Sequence, residues 1–409
     1  MMRSGDLRVC SGWSLVVQGR TGWRERFQTR EDELMTCTYT DLPKLGFGFM
    51  RLPEAEVDGE KVIDLDTLAG MVDTFMDGGF TYFDTARGYH GGKSEAALKT
   101  TVVDRYPRES FQVATKLPAW LAKSADHARA MFDKSLRETG AGYFDFFLLH
   151  NLGDERTKLF DDYGLWEFLA EKKEEGLIRN LGFSIHDKAA VLEEVLAAHP
   201  EVDFVQLQIN YADWESETVE SRKCYETARA HGLPVVVMEP VKGGSLVKLP
   251  DAAATVLHNA DAEAPLASWA LRFAASLPGV LTVLSGMSTP EQVEENVRTM
   301  RAFRPLANEE RAALDHVRAI LDGIPTVPCT DCRYCVKECP RRVRIPAALA
   351  SLNILALYGD EYRAQENYDW NASDGPASQC MACGMCESVC PQHIAIVREL
   401  TRAAELFEK

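Results

Sequence analysis

The sequence predicts an α/β protein: a (β/α)8 TIM barrel followed by a small, mainly helical domain. Three observations predict it. Short apolar runs alternate with amphipathic stretches from about residue 44 to 300. A Gly/Pro stretch, Gly323-Ile324-Pro325-Thr326-Val327-Pro328, then reads as a linker. Beyond it, one four-cysteine run occurs twice. The expected boundaries are a poorly ordered N-terminal extension over 1–34, a barrel over 35–322 and a cysteine-rich domain over 323–409. The extension is rich in Arg, Gly and Ser and has no periodicity.

Eight runs read as strands: Lys44–Met50, Tyr82–Ala86, Phe111–Leu117, Phe144–His150, Asn180–Ile185, Phe204–Asn210, Pro234–Glu239 and Leu281–Ser285. Between them, Leu65, Leu68, Met71, Val72, Phe75 and Met76 share a helical face that Gly78-Gly79 ends. Ser124 caps a helix carrying Ala128, Met131, Phe132 and Leu136, which stops at Gly140. Thr289-Pro290-Glu291-Gln292 has the form of a capping box with proline in the first helical position. Eight strand–helix repeats favour a closed barrel over an open sheet. The first strand also lacks the G-x-G-x-x-G turn of a dinucleotide-binding sheet.

Composition removes several function classes. A net charge of -17 argues against nucleic acid, whose phosphates need basic patches. No run approaches the roughly 20 apolar residues of a membrane helix. The short stretch Trp13–Val17, flanked by Gly and Arg, makes a poor signal peptide. Neither a membrane nor a nucleic-acid partner is therefore expected. Eleven cysteines in a chain this long do not form a secreted disulfide framework.

Eight of them have a spacing of their own. Cys329, Cys332, Cys335 and Cys339 precede Pro340; Cys380, Cys383, Cys386 and Cys390 precede Pro391. Each run reads C-x2-C-x2-C-x3-C-P, the spacing that wraps a [4Fe–4S] cube. Zinc also uses paired C-x2-C units, but two identical runs closed by proline favour iron–sulfur. Two clusters are expected, and with them a reducing, cytoplasmic location. Cys10, Cys37 and Cys224 lie outside the pattern and carry no mark of reactivity. The segment between the runs, including Pro346–Tyr358, is helical in pattern.

Barrel enzymes place reacting groups at the C-terminal ends of strands. Asp84 and Tyr89 sit at or just past the second such end, Lys116 at the third and His150 at the fourth; His90, beside Tyr89, reads as loop-exposed. Here the sequence resembles the aldo-keto reductase superfamily. The motifs are FDTARGYHGGKSE, VATKL, FLLHN, GFS at Gly182–Ser184, QINY at Gln208–Tyr211, MEPVKGG at Met238–Gly244 and SGMSTPEQVEEN, in that order. The resemblance covers about residues 37–300 and implies reduction of an aldehyde or ketone, or the reverse alcohol oxidation, with NADPH or NADH. It makes Tyr89 the proton donor, Lys116 the cation that stabilises its phenolate, Asp84 the partner of Lys116, and His150 the group that orients the substrate carbonyl. Trp120 is a candidate wall of the substrate pocket.

The resemblance also implies a cofactor lying across the barrel top. Ser184 and Gln208 match positions that bind the carboxamide, with Asn210 near the same pocket. Glu239, Pro240, Lys242, Gly243 and Gly244 match the pyrophosphate-side loop, and Ser285, Gly286, Ser288, Gln292, Glu295 and Asn296 the last loop and helix. One departure concerns charge. Relatives selective for NADPH carry basic residues on the last loop, but Ser285–Asn296 contains no Lys or Arg and includes Glu291, Glu294 and Glu295. NADH use is thereby open.

The cysteine runs resemble two-cluster ferredoxins, in which the fourth cysteine ligates the other cluster. Carried over, one cube uses Cys329, Cys332, Cys335 and Cys390, the other Cys380, Cys383, Cys386 and Cys339. Their role is open between electron relay, with a redox partner protein, and structural staple. Hydride transfer moves two electrons together and a cube moves one, and no flavin motif stands between them. The alternative reading of the whole chain is an iron–sulfur electron-transfer protein whose barrel is a docking or sensing platform.

Overall fold

A computed structural model of the protein describes residues 42–153 and 156–409. The expected N-terminal extension, Cys10 and Cys37 lie outside the described residues. Ten strands are present among them: β1 (Leu45–Gly48), β2 (Glu54–Val57), β3 (Glu60–Ile63), β4 (Tyr82–Asp84), β5 (Gln112–Leu117), β6 (Phe144–Leu152), β7 (Ile178–Ile185), β8 (Phe204–Gln208), β9 (Val235–Met238) and β10 (Val280–Gly286). Eight of them close into a parallel barrel in the order β1-β10-β9-β8-β7-β6-β5-β4. All eight predicted barrel strands occur, with ends shifted by a few residues.

The barrel interior is a packed layer, not a channel. Tyr82, Ala114, Phe146, Leu148, Phe204, Val236, Leu281 and Leu284 form one buried cluster inside it. Phe146 lies with its ring 5.0 Å from Tyr82 and 5.1 Å from Phe204. Gly182 makes that packing possible, because a Cβ there would lie 2.4 Å from the Phe204 carbonyl oxygen. Phe146→Ala is expected to cost about 3–5 kcal/mol of stability, read from the shift in urea midpoint at unchanged m-value.

The helical layer follows the predicted start and stop signals. Helix Leu65–Asp77 is capped by Asp64, which accepts from Thr67 N at 3.0 Å, and buries Leu68, Met71, Val72 and Phe75. Leu65 is a correction: it lies on the same face but is exposed, as the first residue of the helix. Ser124 accepts from His127 N, and helix Ala125–Thr139 ends at Gly140 with φ +63°. Thr289 accepts from Gln292 N, with Pro290 opening the helix Pro290–Arg301. The Gln292 side chain reciprocates on Ser288 N at 2.7 Å, one residue further back than in a capping box.

The antiparallel hairpin β2–β3 was not in the sequence expectation. Asp58 and Gly59, both with positive φ, turn it. It follows the C-terminal end of β1, on the face where barrel sites form.

Residues 323–409 contain helices Ile345–Tyr358, Glu361–Asn371 and Ile396–Phe407, with one-turn helices Tyr334–Lys337 and Met385–Ser388 inside the cysteine runs. The duplicated sequence gives a duplicated backbone. Asp331, Arg333 and Arg342 have left-handed φ, and so do Ala382, Gly384 and His393 at the matching places. This region packs on the barrel as well as on itself. Tyr358 belongs to the barrel's main core, and Lys248 pairs with Asp360 at 2.9 Å. Asn353 pins the linker by bonding Val327 N and O, each at 2.8 Å. No described helix is long and apolar enough to cross a membrane.

Candidate active site and cluster cysteines

Three adjacent strand ends, beside that of β1, bring the predicted catalytic residues together. β1, β4, β5 and β6 are neighbours, and Asp84 ends β4, Lys116 lies on β5 and His150 on β6. Tyr89 follows on the short 3-10 turn Tyr89–Gly92. Lys116 is the hub. Its Nζ donates to Asp84 Oδ1 at 2.5 Å, to Thr85 O at 2.8 Å and to the Tyr89 hydroxyl at 3.4 Å. The same ammonium lies 4.9 Å from the Tyr89 ring centroid. His150 stands edge-on to Tyr89 at 5.7 Å, and Trp120 leans on His150 at 5.1 Å with its outer face exposed.

Burial and charge act against each other here. Burial alone would discharge Lys116, but Asp84 and Tyr89 hold its ammonium above the ordinary lysine range. Burial pushes the Tyr89 phenol up, and Lys116 only partly opposes it. The charges of Asp84 and Glu239 push the same way as burial, so the resting phenol keeps its proton. Burial, then the charges of Lys116, His186 and Arg156, hold His150 well below its usual value, so its imidazole is neutral. Two polar atoms in this group are buried without a hydrogen-bond partner: Asp84 Oδ2 and His150 Nδ1.

His90 is the second correction. It is half-buried rather than loop-exposed, and its Nε2 accepts from Leu52 N at 3.1 Å. The loop between β1 and the hairpin supplies that contact, and Glu54, which opens the hairpin, lies 3.6 Å from His90 Nδ1.

The candidate cofactor residues form two groups. Ser184 Oγ accepts from Asn151 N at 2.8 Å, which leaves its own proton to donate. Gln208 and Asn210 both donate to Asp213 Oδ2, at 3.0 and 2.8 Å, and Lys242 Nζ donates to Asp213 Oδ1 at 2.5 Å. Burial works against the Asp213 carboxylate, and Lys242 with the two amides outweighs it, holding it below the usual range. Asp213 is thus an organiser that the sequence reading missed. Its signal was the Asn-x-x-Asp spacing, with Asp213 N donating to Asn210 Oδ1 at 2.8 Å. Gln208 also meets His186 Nδ1 at 3.2 Å.

Glu239, Lys242, Gly243 and Gly244 all have positive φ, and Pro240 is buried behind them. Gly244, at φ +100°, has open space where a side chain would stand. In the last loop, Asn296 donates to Ser285 Oγ at 3.1 Å, both buried, and Ser288 Oγ donates to Arg51 O at 3.0 Å. Gly286 and Gln292 are exposed and Glu295 is half-buried. Polar side chains at one end of this face and the positive-φ backbone around Gly244 at the other fit an extended dinucleotide.

None of the eight run cysteines forms a disulfide with another described residue. Cys339, Cys380, Cys383 and Cys386 line one small pocket closed by Ile345, Val397 and Leu400. Cys390 lies within electrostatic reach of Cys329 and Cys335, as does Cys332. Among the described residues, no three His, Cys, Asp or Glu side chains converge as on a single metal ion. Eight cysteine sulfurs in two runs are the donor chemistry that an iron–sulfur cluster takes. Cys224 is separate: buried, 3.5 Å from Asp187 O, its thiol pushed up to about 12 by burial.

The sequence profile of the aldo/keto reductase family matches residues 44–319. The chain belongs to the aldo/keto reductase family. A 4Fe-4S dicluster domain matches residues 328–395, so this aldo/keto reductase carries an iron–sulfur domain after its barrel. An aldo-keto reductase of Mycobacterium sp. (strain MCS) is 26% identical over 67% of this chain and 86% of its own length. L-galactose dehydrogenase of Arabidopsis thaliana is 26% identical over 71% and 95%. Among solved structures, the holo form of an aldo-keto reductase from Bacillus halodurans superposes with TM-score 0.55 at 24% identity, over 67% of this chain and 91% of that one. An aldo-keto reductase from Klebsiella pneumoniae in complex with NADPH gives 0.54 at 23%, over 68% and 91%. At such identities the structural likeness carries the barrel alone.

Proposed function

We propose that this aldo/keto reductase reduces an aldehyde or ketone, or oxidises the corresponding alcohol, with Tyr89 as the proton donor. The observation that carries the reading is the Lys116 ammonium held between Asp84 and the Tyr89 hydroxyl. A bound nicotinamide cofactor, NADPH or NADH, supplies the hydride. Ser184, Gln208 and Asn210 hold its carboxamide end, and the loops Glu239–Gly244 and Ser285–Ser288 hold its phosphate end. His150, neutral and with Nδ1 unpartnered, orients the carbonyl oxygen toward the Tyr89 hydroxyl. As hydride reaches the carbonyl carbon, Tyr89 gives its proton to the oxygen and becomes phenolate. Lys116 stabilises that phenolate at the moment it forms. Asp84 and the Thr85 carbonyl hold Lys116 in place throughout. Trp120, tilted against His150, forms a wall of the substrate pocket.

The eight cysteines hold two [4Fe–4S] clusters in crossed sets: Cys329, Cys332, Cys335 with Cys390, and Cys380, Cys383, Cys386 with Cys339. The shared pocket of the second set supports this assignment. Either Cys339→Ser or Cys390→Ser should cost one cluster, read as a halved iron content and a halved visible absorbance after anaerobic purification. Full iron content in both variants would exclude the crossed sets. Crossing ties the two ends of the domain together, which is a staple whether or not electrons pass. Anaerobic EPR reads the relay function: cluster signals that change with cofactor and substrate show it, and indifferent signals exclude it.

The function itself is tested by nicotinamide oxidation against a carbonyl panel with cluster-replete protein. Activity that survives unchanged in Tyr89→Phe would remove Tyr89 from the role given to it here.

A further inference from the structure

The helix Glu361–Asn371 belongs to the segment between the cysteine runs, yet it lies against two barrel loops. Its capping residue Asp360 accepts from Lys248 Nζ at 2.9 Å and from Arg363 N at 3.3 Å. Lys248 closes the turn Lys242–Val247, so the helix start is tied to the loop after β9. Arg363 then lies over that loop. Gly243 has φ +63°, and a Cβ there would fall on the Arg363 guanidinium. Glu366, on the next turn, accepts from Arg363 Nη1 and stands 3.5 Å from Arg51 Nη2. Arg51 in turn follows β1 and borders the last loop, beside Gly286 and with its carbonyl bonded by Ser288 Oγ.

Two guanidiniums thus stand between the loop Glu239–Gly244 and the loop Ser285–Ser288. They share one carboxylate, which leaves a net positive charge. The Nε atoms of both Arg51 and Arg363 are buried and have no hydrogen-bond partner. A buried charged donor without an acceptor is costly to maintain, and a forked guanidinium matches phosphate oxygens. The last loop itself offers no cation between Ser285 and Asn296 and carries three glutamates.

We propose that Arg363, with Arg51, grips the phosphates of the nicotinamide dinucleotide, so that the iron–sulfur domain completes the barrel's cofactor site. The inference rests on the reading that the barrel top binds such a cofactor. In the free protein Glu366 holds the place of the anion between the two guanidiniums. The cation that the last loop lacks comes from a helix of another domain. Loss of that domain's fold would then loosen the cofactor as well as the clusters.

The test is a fluorescence titration of full-length, cluster-replete protein with NADH and with NADPH, without carbonyl substrate. Arg363→Gln should weaken both dinucleotides by about tenfold or more, the loss expected for charge-assisted bonds to phosphate. Arg363→Lys should recover part of that loss. Glu366→Gln should tighten both, because it removes the competing carboxylate and leaves both arginines. Iron content and circular dichroism establish that each variant is intact. If Arg363→Gln does not load its clusters, Glu366→Gln decides, and unchanged or weaker affinity there overturns the proposal. Wild-type binding with an indifferent Arg363→Gln overturns this inference alone. A tighter Arg363→Gln also overturns it, showing that the helix obstructs the site. A wild type that binds neither dinucleotide fails the functional reading itself, and this inference with it.

Discussion

Replacing Tyr89 with phenylalanine should reduce carbonyl turnover by about 10²–10⁴-fold and leave nicotinamide affinity unchanged. The substitution removes one oxygen and keeps the ring that faces His150 at 5.7 Å. Among the described residues beside it, Lys116 is committed to Asp84, and burial holds His150 and His186 below the usual imidazole range, so neither is charged to supply that proton. The loss should fall on kcat, since the hydroxyl acts when the alkoxide forms. The pH dependence has a definite sign. The protonated phenol is the working form for reduction, and burial raises its pKa. Reduction should therefore hold level through neutral pH and fall only as pH climbs through that raised value. Alcohol oxidation needs the phenolate and should rise over the same interval. Rates for Tyr89→Phe with this same alkaline limb would assign the limb to another group.

Lys116→Met should remove activity to a similar extent and also cost about 3–5 kcal/mol of stability. Lys116 and Asp84 are both buried, and removing the cation leaves a carboxylate with no partner able to neutralise it. Asp84 Oδ2 already lacks a partner, so nothing nearby can take over. Adding Asp84→Asn should restore much of the stability and none of the activity, which a double-mutant cycle in urea unfolding and turnover would show. The wild-type contribution also depends on pH. Lys116 is held above the ordinary lysine value, so its stabilisation is complete below that value. On the alkaline side it is lost as pH rises through the raised one, and on the acid side where Asp84, held above the usual carboxylate range by burial, takes up a proton. Equal stability of wild type and Lys116→Met at neutral pH would contradict the buried pair.

Much of this was legible because the signals were local. Apolar runs announce barrel strands, Ser124 and Gly140 bound a helix, and the strand-end rule pointed at Asp84, Lys116 and His150 before any geometry was known. The cysteine spacing repeats because its backbone repeats, down to the left-handed residues. What was missed depends on contacts across the chain. The hairpin β2–β3 has largely exposed faces, so apolar patterning is weak, and only Asp58-Gly59 marked it. His90 looked like a loop residue because its partner, Leu52 N, is 38 residues away in the chain, in the loop after β1. Asp213 is one acidic residue in a loop until Gln208, Asn210 and Lys242 close on it. Arg363 belongs by sequence to the cysteine-rich region, and nothing local says that it faces Gly243. The resting state of Tyr89 was also beyond the sequence, because it depends on how far burial outweighs the neighbouring ammonium.

The central claim is that the barrel face of this iron–sulfur protein is a nicotinamide-linked carbonyl site. An anaerobic screen tests it most directly, with cluster-replete protein, NADH and NADPH in parallel, and a panel of aldehydes, ketones and alcohols. The expected result is binding of at least one nicotinamide and its oxidation or reduction with some member of the panel. Protein that binds neither nicotinamide and turns over none of the panel would contradict it.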